Sequence, residues 1–216
     1  MRNQRFVRRC ITGIVLALAT ILLYLSPPIL MTMILAYALG HILVYEWPSM
    51  VAPWGNGGYL LTIIYPTMPL LMMIQLNESP VYRGYLFAII ALVALFDTAS
   101  FIAGTLWGKH HIAPAISPGK TWEGTFGGCI ATTVILIYLS GALVDWHWIT
   151  GMIYGIVLSS TALVGDLIES WFKRTAQQKD SGSLLPGHGG ILDRIDGIIA
   201  VVALFYVLKS FIVTSY

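Results

Sequence analysis

Charge is what this sequence has least of. Asp, Glu, Lys and Arg make up 10% of its 216 residues, where a soluble domain carries about a quarter. With hydrophobic residues at 57%, that shortage excludes a disordered chain and argues against a water-soluble globule. A net charge of +2 supplies no bulk field for nucleic acid, so no such partner is expected. Cysteine is almost missing too. Cys10 and Cys129 lie in apolar stretches without a CxxC or a nearby His, which argues against a disulfide framework and a zinc site. No GxxxxGK[ST] loop is present, since Pro118-Gly119-Lys120-Thr121 lacks the leading glycine and the spacing. The absence of GxSxG and HExxH argues against serine-hydrolase and zinc-protease chemistry. No internal repeat, low-complexity tract or interdomain linker breaks the chain. What remains reads as an integral membrane protein.

A spanning helix needs roughly 20 mostly apolar residues. Seven stretches qualify as spans: Cys10–Leu25, Ile29–Tyr45, Tyr59–Gln75, Gly84–Leu106, Thr125–Val144, Trp148–Ile168 and Asp196–Val213. The expected fold is therefore an all-α transmembrane bundle forming one domain over 1–216, with N-terminal helices in 1–83 and the polar machinery in 84–216. Ser26-Pro27-Pro28 separates the first two spans, and a re-entrant hairpin competes with two crossings there. Pro66 and Pro69 predict a kink in the third. The basic opening before Cys10 has no convincing cleavage site before Pro27, so it reads as a retained helix rather than a signal peptide. With the N-terminus inside, ten basic residues fall on the cytoplasmic side and only Arg83 and Lys209 outside, a strong positive-inside bias.

The scarcity makes each cluster of charge informative. Asp166, Glu169, Lys173, Arg174, Lys179, Asp180, Asp193, Arg194 and Asp196 are nine of 22 formal charges, packed into 31 residues. Gly182, Gly187, Gly189 and Gly190 lie among them and let backbone approach a ligand closely. A second cluster runs from Asp97 through Ser117, Lys120 and Glu123, and in this topology both reach the cytoplasmic face. An ionised carboxylate at the rim of hydrocarbon is costly unless paired or bound to metal. Asp166 and Glu169, and likewise Asp193 and Asp196, share helix faces by their i, i+3 spacing. Carboxylates at two helix ends make an oxygen-rich site suited to Mg²⁺. Pairing of each acid with a neighbouring base is the plainer alternative. Lys173, Arg174, Lys179 and Arg194 suit phosphate oxygens, although as isolated cations they would serve as snorkelling anchors. His41, His147, His110 and His111 read as structural or interfacial, and Met68, Met72 and Met73 as ordinary packing.

The run SWFKRTAQQKDSGSLLPGHGGILDRID, Ser170 to Asp196, resembles the signature of the phosphatidate cytidylyltransferase (CDP-diacylglycerol synthase) family. Asp97-Thr98-Ala99, Ser117-Pro118 with Lys120-Thr121-Trp122-Glu123-Gly124, and Gly165-Asp166-Leu167 resemble its other conserved blocks. Gly119 stands where the family segment has a second lysine, leaving one cation fewer. The resemblance covers the chain from about Asp97 onward; the N-terminal half is only generically hydrophobic and looks shorter than in typical bacterial members.

That resemblance implies CTP plus phosphatidate giving CDP-diacylglycerol and pyrophosphate, with Mg²⁺ as cofactor and a second, monovalent cation left open. It implies Asp166 and Asp193 as first choices for the metal and Asp196 and Asp97 as second. Lys173, Arg174, Lys179 and Arg194 would hold triphosphate or lipid phosphate, with Lys120 and Ser117 approaching from the other loop. Ser170, Gly189 and Gly190 join the substrate contacts. Asp180 would orient a lysine or touch the metal, and His188 would donate to departing pyrophosphate or serve as a loop hydrogen bond. Membrane lipids are the other expected partners, a homodimer stays open, and a bacterial inner membrane is the expected location. Two alternatives remain: the same fold acting on another lipid, as in CDP-archaeol synthesis or CTP-dependent polyprenol phosphorylation, and a membrane transporter with Pro-interrupted spans.

Overall fold

The computed structural model describes residues 18–143, 147–184 and 189–213. A first helix, α1 (residues 18–25), ends where Pro27 and Pro28 start the next. Pro28 lacks an amide hydrogen that the first turn could not have used, so it begins a helix without loss. That helix, α2 (Pro28–Trp54), widens into a π turn at Ile42–Glu46 and tightens into a 3-10 turn at Ala52–Trp54. Helix α3 (Gly57–Glu78) carries a second π turn, Ile63–Thr67, built around Pro66. The proline removes one ladder bond, and Thr67 Oγ1 donates to the Thr62 carbonyl at 2.8 Å. Pro69 falls in the first turn of the α-helical stretch after it, so the disturbance expected from two prolines concentrates at one.

Next come α4 (Arg83–Trp107), a two-stranded antiparallel hairpin of β1 (His111–Ala113) and β2 (Ser117–Thr121), and α5 (Trp122–Leu143). Helices α6 (Trp148–Thr175) and α7 (Leu192–Val213) complete the bundle. Six helices are long and apolar enough to cross a membrane among the described residues. Of the seventh expected span, Cys10–Leu25, the first half lies outside them and the second half is α1. Three helices overrun their expected ends most: α2 continues past Tyr45 to Trp54, α6 continues past Ile168 to Thr175, and α7 begins at Leu192 rather than Asp196. Hydropathy stops a span at its first charges, but here those charges find partners inside the fold and the helix continues through them.

Helices α4, α5, α6 and α7 pack in succession, and α3 bridges α2 to α7. Small residues set the closest approaches, as is usual where lipid removes the hydrophobic drive between helices. A Cβ on Gly128 would run into Phe96 and Ser100 of α4, and one on Gly165 would strike Ala200 and the Asp196 carbonyl of α7. Gly165 thus draws α6 and α7 together beside Asp166 and Asp196. Glu123 fixes the hairpin, accepting from the Lys109 and His110 amides at 3.1 and 3.2 Å and meeting His110 Nδ1 at 2.5 Å. At the other end Arg83 donates to the Leu23 and Ser26 carbonyls, and Lys209 sits over the Tyr82 and Tyr206 rings.

Candidate active site

Asp166, Glu169, Ser170 and Lys173 follow the 3, 4 and 7 spacing that places side chains on one helical face, and on α6 they form a polar stripe. Ser170 Oγ donates to Asp166 Oδ1 at 3.3 Å. Lys173 pairs with Glu169 one turn back and, across to α7, with Asp193 Oδ1 at 2.6 Å. Lys120 comes from β2 to pair with Asp166. Arg174 points off the stripe: Nε donates to the Ile116 carbonyl of the hairpin turn at 3.0 Å and Nη1 to the Gln178 carbonyl at 2.9 Å. Its guanidinium ties the hairpin to the end of α6.

The start of α7 divides its two aspartates. Asp193 Oδ2 accepts from the Ser181 amide (2.8 Å), Ser181 Oγ (2.9 Å) and the Gly190 amide (2.8 Å), while Oδ1 faces Lys173. Both oxygens are engaged in holding the loop. Gly189 adopts φ +80°, and a Cβ there would collide with the Asp193 carboxylate, so this turn demands glycine. Asp196, one turn on, accepts only the Gly197 amide among the described residues. It lies instead within electrostatic reach of Asp166, Asp97 and Lys120.

Asp97 on α4 belongs to this second group, feeling Lys120, Asp166 and Arg194, and it makes no hydrogen bond or close ion pair among the described residues. It is exposed and Asp196 half-buried, although protein surrounds both on most sides. Asp97, Asp166 and Asp196, each within electrostatic reach of the others, form one acid wall at this end of the bundle. Of the remaining sequence candidates, Ser117 begins β2 half-buried, and Lys179 and Asp180 are exposed on the loop. Gly190 is buried, and Arg194 is exposed one residue past Asp193. His188 lies outside the described residues.

Among the described residues no three Asp, Glu, His or Cys side chains surround a common point as a ready metal cage. Mg²⁺ does not require one, because it keeps several waters and is usually held by one or two carboxylates plus substrate phosphates. The donor set fits such an ion: Asp97 and Asp196 retain oxygens without a protein partner, and Asp166 shares one with Lys120.

Two residues at this end escaped the sequence reading. Glu46, fully buried on α2, accepts from the Ile191 and Leu192 amides at 2.7 and 2.9 Å and from Ser181 Oγ at 3.1 Å. It is a lone acid in an apolar run, the same signal that singled out Asp97. Tyr65, beside Pro66 in the α3 π turn, packs against Trp47 and Phe172 with ring centroids 5.5 Å away in each case. Its hydroxyl is buried without a hydrogen-bond partner, within electrostatic reach of Glu169, Asp196 and Asp166. No local pattern marks it.

Residues 52–212 match the Cytidylyltransferase family, three quarters of the chain. The chain belongs to that family. As a cytidylyltransferase it is a nucleotidyl-transferring enzyme, and the Asp97, Ser117–Lys120 and Asp166–Asp196 blocks all lie inside the matched region. It is 34% identical over 215 residues to a phosphatidate cytidylyltransferase of Pseudomonas aeruginosa, aligning over 95% of this chain and 79% of that one. A Staphylococcus epidermidis protein of the same name is 46% identical over 135 residues, 61% of this chain and 51% of its own. One from Haemophilus influenzae is 34% identical over 190 residues, 82% of this chain and 66% of its own. The chain thus spans between half and four fifths of the length of these relatives.

Proposed function

We propose that this cytidylyltransferase acts on CTP and phosphatidate, giving CDP-diacylglycerol and pyrophosphate at the cytoplasmic face of a bacterial membrane. The observation that carries the reading is the acid wall of Asp97, Asp166 and Asp196, which feel one another's charge, with Lys120 paired to Asp166 and Lys173 on the same face of α6, at one end of an apolar bundle. Such a wall suits a metal-bound triphosphate meeting a lipid phosphate.

A phosphate oxygen of phosphatidate attacks the α-phosphorus of CTP. A new P–O–P link forms, the bond from the α-phosphorus to the bridging oxygen breaks, and pyrophosphate leaves with that electron pair. The nucleophile is already anionic near neutral pH, so no strong base is needed; the obstacle is repulsion between two anions. Mg²⁺, held by Asp97 and Asp196 with Asp166 beside them, would neutralise phosphate charge and align the attack. Lys120, Lys173, Lys179 and Arg194 supply further cancelling charge from the protein, and the Arg174 guanidinium keeps the hairpin carrying Lys120 against α6. The Tyr65 hydroxyl is a donor for a phosphate oxygen, and the rings around it exclude water from that side, strengthening each contact.

Incubation of detergent-solubilised protein with phosphatidate, Mg²⁺ and CTP labelled at either end tests the reading. Label at the α-phosphorus is expected in the lipid and label at the γ-phosphorus in pyrophosphate. γ-Label in the lipid would mean a kinase and overturn it.

A further inference from the structure

We infer that Glu46 is a positioning residue for cytidylyl transfer, holding both ends of the 181–190 loop from the N-terminal half of the chain. The inference rests on the cytidylyltransferase reading, but its geometry stands apart from it. The Glu46 carboxylate divides its acceptor capacity between two pieces of backbone. Oε1 takes the Ile191 amide, while Oε2 takes the Leu192 amide and Ser181 Oγ. The two amides belong to the residue before α7 and to its first residue, where intrahelical acceptors do not exist, and a carboxylate there also complements the helix dipole. Ser181 lies ten residues earlier, at the point where the loop leaves its N-terminal arm. One side chain therefore pins the departure and the return of a loop that carries Gly189 and Gly190 and follows directly on Lys179 and Asp180.

Several features are built around this contact. Ser181 and Gly190 bond Asp193 Oδ2 as well as lying against Glu46, and the Ser181 hydroxyl lies within hydrogen-bond distance of both carboxylates. Asp193 in turn holds Lys173. A Cβ on Gly190 would enter the Glu46 carboxylate, and one on Gly182 would lie 3.1 Å from its Cγ. The π turn Ile42–Glu46 ends on this residue, and one inserted residue rotates the remainder of a helix by about 100° around its axis. His41 backs the carboxylate, with Nδ1 3.2 Å from Oε1 and its ring packed between Tyr37 and Tyr45. Glu46 lies upstream of the segment matched to the family, 52–212, so this clamp comes from outside the region that carries the family's motifs.

The effect on catalysis runs from Glu46 through Ser181 and Gly190 to Asp193 and Lys173. It predicts a turnover defect rather than a binding defect. Glu46→Gln keeps the size but sets an amide NH₂ against backbone donors. Three readouts are needed: thermal midpoint in detergent, kcat and KM for CTP and phosphatidate, and trypsin cleavage after exposed Lys179 with exposed Lys109 as internal reference. The variant is expected to fold, to be cut at Lys179 at least tenfold faster than wild type, and to lose at least tenfold in kcat with both KM values changed less than threefold. Glu46→Gln and Ser181→Ala are expected to be non-additive in a double-mutant cycle on kcat, because they remove one shared contact. Should Glu46→Gln fail to fold, Ser181→Ala decides by the same cleavage and kcat measurements. Cleavage and kcat within twofold of wild type overturn the inference. Wild-type protein that makes no liponucleotide overturns the functional reading instead, and the cleavage test of the clamp still stands.

Discussion

Two groups of carboxylates meet at one end of the bundle, and they are solved in opposite ways. Glu46 and Asp193 have their oxygens filled by amides, a serine and a lysine. Asp97, Asp166 and Asp196 lie within electrostatic reach of one another, Lys120 pairs with Asp166, and oxygens of Asp97 and Asp196 have no protein partner among the described residues. A satisfied buried carboxylate stabilises the fold; an unsatisfied set of like charges destabilises it and persists where a ligand will complete it. The first group shapes the loop; on the proposed function the second receives a cation and phosphates. Asp193 and Asp196 stand one turn apart on the same helix and fall into opposite groups, so residue type and spacing alone do not separate the roles. The number of backbone amides that arrive does.

The sharpest way to break this contrast is to neutralise one aspartate of each group on α7. Asp196→Asn is expected to lower kcat/KM at least a hundredfold while leaving the thermal midpoint unchanged or raised, since it removes a like charge. Asp193→Asn is expected to lower the midpoint, because the amide cannot accept from three donors on one oxygen and a lysine on the other. The stability loss should be about 2 kcal/mol or more, from buried donors left unsatisfied. Activity and thermal unfolding measured on both variants decide it. If Asp196→Asn destabilises as much as Asp193→Asn, the two groups are not different in kind.

Lys173→Met tests the link between the two groups. Lys173 is the one side chain that bonds into the satisfied group while lying on the α6 stripe of the other, pairing with both Glu169 and Asp193. Glu169 is wholly buried, and Lys173 is its one close partner among the described residues. Removing one partner of a buried ion pair typically costs about 3–5 kcal/mol, because the remaining charge has nothing to answer it. Chemical denaturation in mild detergent should show that loss, and Glu169→Gln in the same background should restore part of it. An unchanged denaturation midpoint for Lys173→Met would place the lysine outside the structural network.

Much of this architecture is legible in the sequence. A chain with so few charges displays its spans directly, and the glycine-rich acidic run identifies the polar end because nothing else competes with it. The failures have physical causes. Asp193 and Asp196 share a face by spacing, yet one turns to the loop and the other to the wall, since periodicity fixes direction and not the donors that arrive there. Glu46 meets Ser181 across 135 residues of sequence, a distance no local pattern spans. The hairpin at His111–Thr121 departs from an all-helical expectation, although Pro114, Pro118 and Gly119 deny that segment a helix. Helix ends differ from expectation wherever charge continues inside a span and is paired there.

The smallest effect, and the finest test of the contrast, belongs to Tyr65. Its hydroxyl is buried without an acceptor beside the unsatisfied acids, while its ring is fixed between Trp47 and Phe172. Tyr65→Phe removes one oxygen and leaves every ring contact in place. A hydroxyl that only filled space would leave activity untouched on removal, and its loss would relieve an unsatisfied buried group, raising stability by about 1 kcal/mol. A hydroxyl that meets substrate phosphate would give that same small gain in stability together with a fall in kcat of about tenfold, the size of one lost hydrogen bond to a charged group. The two outcomes differ only in turnover, so unfolding and kinetics must be measured on the same preparation. We expect the second. A variant with wild-type kcat would assign Tyr65 to packing and confine the reactive wall to the three aspartates and their lysines.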